Sequence, residues 1–190
     1  MNSGTWTDLR SAIYGRRAVR LYKSTPIDRD TIEALAHAAI QAPSAMNRQP
    51  WVFAVVEGKE RLQRLSDSVK HYLLTLPTPD FPIERDMLMD PGVNIFHGAP
   101  ALIVVCATSN DAQAAEDCCL AAENLMLAAY ASDLATCPVG LSRQYLVKPQ
   151  TKRELGIPQE LVPVFPVVAG YPDEEPQKSH GRHTPTILWL

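Results

Sequence analysis

The chain has 190 residues, a length that fits one domain with a substantial hydrophobic core. Hydrophobic residues make up 46% and charged residues 21%, which excludes an intrinsically disordered chain. The 18 basic and 21 acidic side chains leave a net charge of −3. This charge argues against nucleic acids and anionic membranes as partners, because both attract positively charged proteins.

The sequence also indicates the compartment. No apolar run approaches the roughly 20 residues of a membrane-spanning helix. Charges throughout the first 20 residues leave no apolar segment for a secretory signal. The cysteines have neither metal-site nor disulfide-framework spacing; they are Cys106, Cys118, Cys119 and Cys137. We predict a cytoplasmic protein with reduced thiols, no bound metal and no membrane partner.

Helical patterns begin near the N-terminus. One helix is predicted over Thr7–Gly15, and a second over Asp30–Gln41, where apolar residues recur at every third or fourth position. Asp30 stands where an N-cap is expected, with Glu33 three residues later as in a capping box, and Pro43 marks the end. The second helix is therefore expected to pack through one apolar face.

The middle of the chain combines strands with a long helix. Apolar runs predict strands over Trp51–Val56 and Ala101–Ala107, of which the second is apolar throughout and should be central. Five prolines fall within residues 77–100, so residues 76–98 are predicted to form a long irregular, lid-like connection. A helix over Ala112–Ser132 is apolar on nearly all sides and should be buried.

The last elements complete an α+β pattern. A proline near its start and a glycine at its end bound a short helix over Lys148–Gly156. The run Leu161–Ala169 predicts a third strand, which Pro163 and Pro166 place at a sheet edge or make bulged. We predict a single helix-rich α+β domain over residues 1–190.

Three arginines stand close together after the first predicted helix, at Arg16, Arg17 and Arg20. The planar guanidinium group matches phosphate oxygens with two parallel hydrogen bonds, so the cluster is a candidate phosphate site. A solvated run of surface charge is the alternative, and charge alone favours that alternative.

A second candidate is the loop over residues 42–51, between a predicted helix and a predicted strand. Its Ser44, Asn47 and Gln49 lie in a turn bounded by prolines, so the loop offers polar groups from a fixed backbone, as in ligand pockets. The same groups would satisfy local backbone atoms in an ordinary helix-to-strand turn. The loop alone supports both interpretations equally.

Other polar residues carry weaker signals. Arg182 follows a polar stretch and could complete an anion site with the N-terminal arginines, although an exposed flexible tail is the simpler interpretation. His37 and His97 have no partner in the sequence that would make them catalytic.

Taken together, these stretches resemble the nitroreductase family of FMN-dependent oxidoreductases, in order along most of the chain. Residues 16–20 (Arg-Arg-Ala-Val-Arg) resemble the opening Arg-Arg-Ser-hydrophobic-Arg motif, and residues 42–51 the more specific Ala-Pro-Ser-x-x-Asn-x-Gln-Pro-Trp loop. Residues 123–129 resemble the central helix of the family and residues 137–140 the turn beside its flavin ring. Residues 168–172, followed by the C-terminal arginine, resemble its closing segment.

The resemblance implies a nitroreductase-like fold, with a central mixed or antiparallel sheet flanked by helices and a helical dimer interface. It implies FMN as cofactor, with Arg16, Arg20 and Arg182 gripping the phosphate and Arg17 adding backbone contacts. The partner subunit's loop would reach the flavin, and the turn after residue 137 would lie beside its reactive nitrogen. These contacts map onto Pro43, Ser44, Asn47, Pro138, Val139 and Gly140.

One position departs from the family motif. The usual serine is Ala18 here, which removes a hydroxyl donor to the phosphate. A neutral hydrogen bond contributes roughly 0.5–1.5 kcal/mol, so the departure concerns the affinity for FMN. The three arginines would absorb that loss.

The resemblance also implies the reaction. NADH or NADPH would reduce the flavin, and a small electron-poor acceptor, such as a nitroaromatic or a quinone, would reoxidise it by a ping-pong mechanism. No side chain is assigned as acid or base, because the cofactor supplies the chemistry. The alternatives are a flavin-binding carrier or redox sensor without turnover, and a family member with dehalogenase or flavin-fragmenting activity.

A homodimer is expected on two grounds besides the resemblance. The helix over Ala112–Ser132 is apolar on nearly all sides, and a C-terminal arm over residues 183–190 ends in four large apolar side chains that need cover. Prolines before the tail keep the preceding segment extended. We therefore expect the arm to lie across the partner subunit.

Overall fold

The structure is a computed structural model that describes residues 8–77, 85–173 and 181–190. In these ranges the helices are α1 (Leu9–Gly15), α2 (Arg29–Ala39), α3 (Lys59–Thr75), α4 (Arg85–Met89), α5 (Ala112–Ala131), α6 (Arg143–Leu146) and α7 (Pro149–Leu155). The strands are β1 (Trp51–Glu57), β2 (Ala101–Ala107), β3 (Ala135–Pro138) and β4 (Val162–Gly170). Short 3₁₀ turns cover Ala45–Asn47 and Gly140–Ser142.

The strands of the described ranges form one antiparallel sheet in the order β1-β2-β4-β3. All seven residues of β2 are buried, which confirms the predicted central strand. Alternate side chains of β2 enter two cores: Ile103 and Val105 pack on the side of α2 and α5, and Leu102 and Val104 on the side of α3. The predicted α+β class, with an antiparallel sheet flanked by helices, is confirmed.

The third predicted strand is bulged, but it is not at the sheet edge. β4 lies between β2 and β3. Its register against β2 shifts so that Val105 pairs with Phe165 and Cys106 with Pro163, which leaves Val164 unpaired. The bulge accommodates a residue that has no N–H for the ladder. The edge next to β4 is formed by β3, a four-residue strand that the sequence patterns did not predict, and the opposite edge by β1.

The largest element that the sequence analysis missed is α3, with 17 residues. Its buried Leu62, Leu65, Val69 and Leu73 recur at three- or four-residue intervals, so the helical signal was present in the sequence. The predicted irregular connection over residues 76–98 contains the short helix α4, and its residues 78–84 lie outside the described residues.

The second helix begins earlier than predicted, and its N-cap is Asp28 rather than Asp30. The Asp28 carboxylate accepts hydrogen bonds from the Thr31 amide at 2.7 Å and from the Thr31 hydroxyl at 2.8 Å. Asp30 lies in the first turn. Both aspartates fit the cap preference, so only the backbone geometry decides between them.

The three remaining predicted helices are confirmed with small changes in length. The first is α1, which begins at Leu9; its predicted start at Thr7 lies outside the described residues. α5 packs against the sheet and α2 through buried residues that include Ala121 and Leu125, yet its Leu120 is 48% exposed. α7 ends at Leu155, and its C-cap residue Gly156 has a φ of +78°, the left-handed conformation that a glycine adopts readily. Among the helices of the described ranges, none combines the length and apolar character that crossing a bilayer requires.

Substitution of the α2 cap provides a test of this local geometry. The hydrogen bonds that Asp28 accepts from Thr31 lower the pKa of the Asp28 carboxyl group below its ordinary 3.8. The ionised carboxylate therefore stabilises the fold above pH 3.8, and this stabilisation is lost as the pH falls through the lowered pKa. We expect Asp28→Ala to lower the midpoint of urea unfolding at pH 7, measured by far-UV circular dichroism. The difference from the parent should vanish at strongly acidic pH.

Asp30→Ala is the matched control, because Asp30 lies in the same first turn and has no capping hydrogen bond. It should shift the midpoint less than Asp28→Ala. A larger effect at Asp30 would contradict the assigned cap.

Candidate functional site

The arginine segment is held along the edge of the sheet. After α1, residues 16–20 extend beside β3, where Ala18 and Thr136 form a parallel bridge and the Val19 amide donates to the Thr136 carbonyl at 3.2 Å. Further on, Tyr22 bridges Pro172 at the end of β4. The short edge strand β3 thus has the arginine segment as a neighbour on its open side, and this pairing places the arginines beside β3.

The helix that precedes this segment ends against α5. A Cβ atom at Gly15 would overlap the hydroxyl end of the Tyr130 side chain, so a larger residue there would displace this ring. The chain leaves α1 at this point and turns into the extended segment, with Arg16 as the C-cap residue. This local packing sets where the first arginine stands.

A cavity of about 750 Å³ opens where this segment meets the end of β3. It is lined by Arg20, Lys59, Gln63, Met87, Gly92, Val93, Asn94, Ile95, His97, Gly98, Cys137, Pro138, Val139, Gly140 and Leu141. The lining includes two cationic side chains, Arg20 and Lys59, and among the described residues it includes no carboxylate. Neither cation has an ion-pair partner in the part of the chain that the structure describes. The cavity therefore favours an anionic ligand.

His97 contributes a half-buried imidazole to this cavity. It lies in a turn with positive φ at both His97 (+56°) and Gly98 (+67°), and its amide donates to the Asn94 carbonyl at 3.0 Å. The pKa of His97 is lowered, mainly by burial and further by the charge of Arg20. The ring is therefore neutral at pH 7, with one N–H donor and one acceptor nitrogen.

The turn after β3 forms another wall. The Val139 amide donates to the Pro166 carbonyl at 2.9 Å, and the Ser142 hydroxyl donates to the Val139 carbonyl at 2.8 Å, which fixes the turn against β4. All three predicted turn residues, Pro138, Val139 and Gly140, line the cavity. Burial raises the pKa of Cys137 beside them, so this thiol is protonated and is a poor nucleophile.

A second cavity, of about 270 Å³, lies further back along the same paired segments. It is lined by Arg16, Arg17, Val19, Tyr130, Asp133, Leu134, Ala135, Thr136 and Pro172. Within the described ranges, two buried side-chain polar atoms lack a hydrogen-bond partner, Arg16 Nη1 and Thr136 Oγ1, and both residues line this cavity. Such groups in a folded protein call for an explanation, and a bound anion is one.

The other contacts of the two arginines differ. Arg16 Nε lies 3.9 Å from the Glu123 carboxylate, a distance that leaves its Nη1 free. Arg17 Nη1 donates to the Tyr14 and Arg16 carbonyls at 2.8 and 2.7 Å. Arg17 therefore stiffens the turn out of α1, whereas Arg16 has a donor to spare.

The loop over residues 42–50 has a strained and specific conformation. Met46, Asn47 and Gln49 all have positive φ, between 49° and 54°. Backbone conformations of this kind cost about 1–3 kcal/mol each, and the surrounding structure must impose them. The Ser44 hydroxyl accepts from the Gln49 amide at 2.9 Å, and the Asn47 side-chain oxygen accepts from the Gln49 side chain at 3.0 Å.

A buried carboxylate on α5 holds this loop. Both oxygens of Asp117, which is 1% exposed, accept from the Ala45 amide at 3.2 and 3.3 Å. The sequence analysis missed Asp117; its only signal was its place in a largely apolar stretch of helix, directly after Glu116. The loop borders neither cavity, so the structure does not bring Pro43, Ser44 and Asn47 together with the arginines.

Arg182 is also separate from both cavities. It lies in the exposed C-terminal segment over residues 181–190. The predicted site residues thus fall into separate groups: Arg20 with the 138–140 turn, Arg16 and Arg17 with Thr136, the loop, and the C-terminal arginine. Thr136, Lys59 and Asn94 are cavity residues that the sequence analysis did not single out.

Comparison with known proteins agrees with this architecture. A family model described as the nitroreductase family matches residues 13–171. A protein of Archaeoglobus fulgidus named as an NADH dehydrogenase/NAD(P)H nitroreductase is 33% identical over 169 residues, which covers 86% of this chain and 84% of the relative. A nitroreductase of Mycolicibacterium smegmatis is 29% identical and covers 90% of this chain and 88% of its own length.

Solved structures give the same result. A nitroreductase of Bacteroides fragilis, solved with bound FMN, superposes with a TM-score of 0.81 and 26% identity, over 96% of this chain and 99% of the other. An FMN-bound nitroreductase of Desulfitobacterium hafniense has a TM-score of 0.77 and 27% identity, over 95% and 97% of the two chains. The resemblance seen in the sequence motifs is confirmed: this chain belongs to the nitroreductase family.

Proposed function

We propose that this chain is an FMN-dependent NAD(P)H oxidoreductase. When bound, FMN would supply the redox chemistry, taking hydride from NADH or NADPH and passing it to a small electron-poor acceptor, such as a nitroaromatic or a quinone, in a ping-pong sequence. Relatives named as NAD(P)H nitroreductases and FMN-bound structures of the same fold support the proposal. A cytoplasmic location, where NAD(P)H is available and thiols stay reduced, is part of it.

The observation that carries the proposal is the free donor of Arg16 beside a cavity. Arg16 Nη1 is buried without a partner among the described residues, and a phosphate oxygen would satisfy it. The residues present therefore fit a phosphate-bearing cofactor. Arg182 stays in the proposal as a further phosphate contact, since its exposed side chain has no ion-pair partner in the described ranges.

Arg20 is proposed to hold the other end of the cofactor. It lines the large cavity with His97 and the 138–140 turn, whereas Arg16 lines the small one. Four extended residues span about 13 Å, so the two guanidinium groups suit the two ends of an elongated ligand. Arg20 would orient the flavin ring, and the fixed turn would exclude water from one side of it.

The strained loop and the apolar surfaces support a homodimer. Asn47 and Met46 are exposed, and Asp117 anchors the loop through the Ala45 amide, as expected of a segment that contacts another molecule. The C-terminal arm does not fold back on the core: Trp189 is 90% exposed and Leu188 is 78% exposed. We propose that a partner subunit covers this arm and receives Pro43, Ser44 and Asn47 at its own flavin.

Turnover is tested with the flavin-loaded protein. Under anaerobic conditions, addition of NADH or NADPH should bleach the flavin absorbance, and a nitroaromatic or quinone should then restore it. A carrier or sensor without turnover would stay yellow. That result would contradict the proposed enzymatic function while leaving flavin binding intact.

The division of the arginines is tested by comparing FMN with riboflavin, which lacks the phosphate. Arg16→Ala should weaken the binding of FMN about tenfold or more, because charge-assisted hydrogen bonds contribute roughly 1.5–3 kcal/mol. The same substitution should change the binding of riboflavin little. Dissociation constants are measured by quenching of flavin fluorescence on the apo-protein.

Arg20→Ala is the matched variant. It should weaken both flavins to a similar degree, since the proposed contact is to the ring end that they share. If Arg20→Ala spared riboflavin, Arg20 would act on the phosphate, as the family motif by itself implies.

The homodimer is tested by sedimentation and by removal of the arm. Analytical ultracentrifugation should show a species of about twice 21.0 kDa with bound flavin. Deletion of residues 184–190 should weaken the dimer and the retention of FMN together, because each fully buried large apolar side chain contributes roughly 1.5–3 kcal/mol. A 21.0 kDa species that retained FMN at micromolar concentration would exclude a site built from two chains.

A further inference from the structure

The small cavity contains a second donor that the family motif does not explain. Thr136 Oγ1, like Arg16 Nη1, is buried and has no hydrogen-bond partner in the part of the chain that the structure describes. Buried hydroxyl groups are normally satisfied, because loss of their hydration is unfavourable. Two such atoms beside one cavity of about 270 Å³ indicate a ligand that accepts hydrogen bonds from both.

Thr136 is held in place from both sides of its strand. It pairs with Ala169 of β4 and forms the bridge to Ala18, and its carbonyl accepts from the Val19 amide at 3.2 Å. Its side chain is 1% exposed, and a β-branched side chain has few χ1 rotamers. The position of its hydroxyl is therefore set before any ligand arrives.

The charges around the cavity favour an anion. Arg16 and Arg17 line it, and the carboxylate in its lining belongs to Asp133, which is exposed and therefore screened by solvent. A hydroxyl beside a guanidinium group that has a free N–H is a suitable donor pair for a phosphate oxygen.

We infer that Thr136 is a phosphate-binding residue, whose hydroxyl donates to the phosphate of the bound cofactor beside Arg16. The inference rests on the proposed function, and it adds a residue that the motif does not contain. Ala18, which lacks the serine hydroxyl of the motif, is the bridge partner of Thr136. The edge strand would thus supply the hydroxyl donor that the arginine segment has lost.

The test compares Thr136→Val, which keeps the branched shape and removes the hydroxyl, with Thr136→Ser, which keeps the hydroxyl. Dissociation constants for FMN and riboflavin are measured on the full-chain apo-protein by flavin fluorescence. Thr136→Val should raise the dissociation constant for FMN about tenfold or more, because the lost hydrogen bond is to a charged group. It should leave the dissociation constant for riboflavin within about twofold of the parent value. Thr136→Ser should keep FMN within about threefold of the parent.

Thermal unfolding of the apo-protein separates this role from a structural one. Removal of an unpartnered buried hydroxyl should leave the apo Thr136→Val protein as stable as the parent or more stable. Inorganic phosphate should raise the melting temperature of the parent and raise that of Thr136→Val less. A Thr136→Val protein that binds FMN like the parent, loses both flavins equally, or melts lower without ligand would overturn the inference.

Failure of the proposed function has a different signature. If the parent bound neither flavin, FMN would not be the cofactor. Stabilisation of the parent by inorganic phosphate that Thr136→Val lacked would then still support an anion site at Thr136, and absence of that stabilisation would overturn the site as well.

Discussion

The pairing of the arginine segment with the sheet edge is the constraint on which the candidate site depends. The hydrogen bond from the Val19 amide to the Thr136 carbonyl and the bridge from Ala18 to Thr136 align the two backbones. In this register Arg16 reaches one cavity and Arg20 the other, and the strand continues directly into the turn that lines the large cavity. A four-residue edge strand would otherwise expose unpaired backbone groups, so the same contact also completes the sheet.

This edge exists because the proline-containing strand is inside the sheet. Seven of the nine residues of β4 are buried, and its bulge accommodates Pro163 beside β2. Burial of apolar surface on both faces stabilises the strand more than the missing amide donors destabilise it. β3 is then left at the edge with a side open to the arginine segment, which links the sheet order to the position of the site.

Electrostatics and strain distinguish the site from the rest of the surface. Among the residues that the structure describes, the large cavity combines two cations without an ion-pair partner and a neutral imidazole, and the small cavity has two donors without acceptors. On α5, Asp117 anchors a loop in which three non-glycine residues have positive φ. Arrangements of this kind lower the stability of the fold, so they fit the ligand-binding and subunit contacts that we propose for these surfaces.

Sequence patterns were enough to identify the family, the α+β class, the central strand, the long helix and the arginine cluster. These features depend on local periodicity and on motifs that residues close in the chain carry together. The loop motif was visible for the same reason, and so was the proline-related bulge. α3 was missed although its periodicity was present, and the cap of α2 was placed two residues late because neighbouring aspartates have the same preference.

Which of these residues come into contact depends on the folded arrangement of the strands and helices. Strand pairing places Arg16 and Arg20 at different cavities and brings Thr136 to the same cavity as Arg16. Helix packing brings Asp117 into contact with Ala45. Sheet order is set by the burial of whole strands, which is a property of the assembled core and not of any short window. The sequence therefore identified the arginines as candidates, but Thr136, the further donor that we infer, could be recognised only once β3 was seen beside the arginine segment.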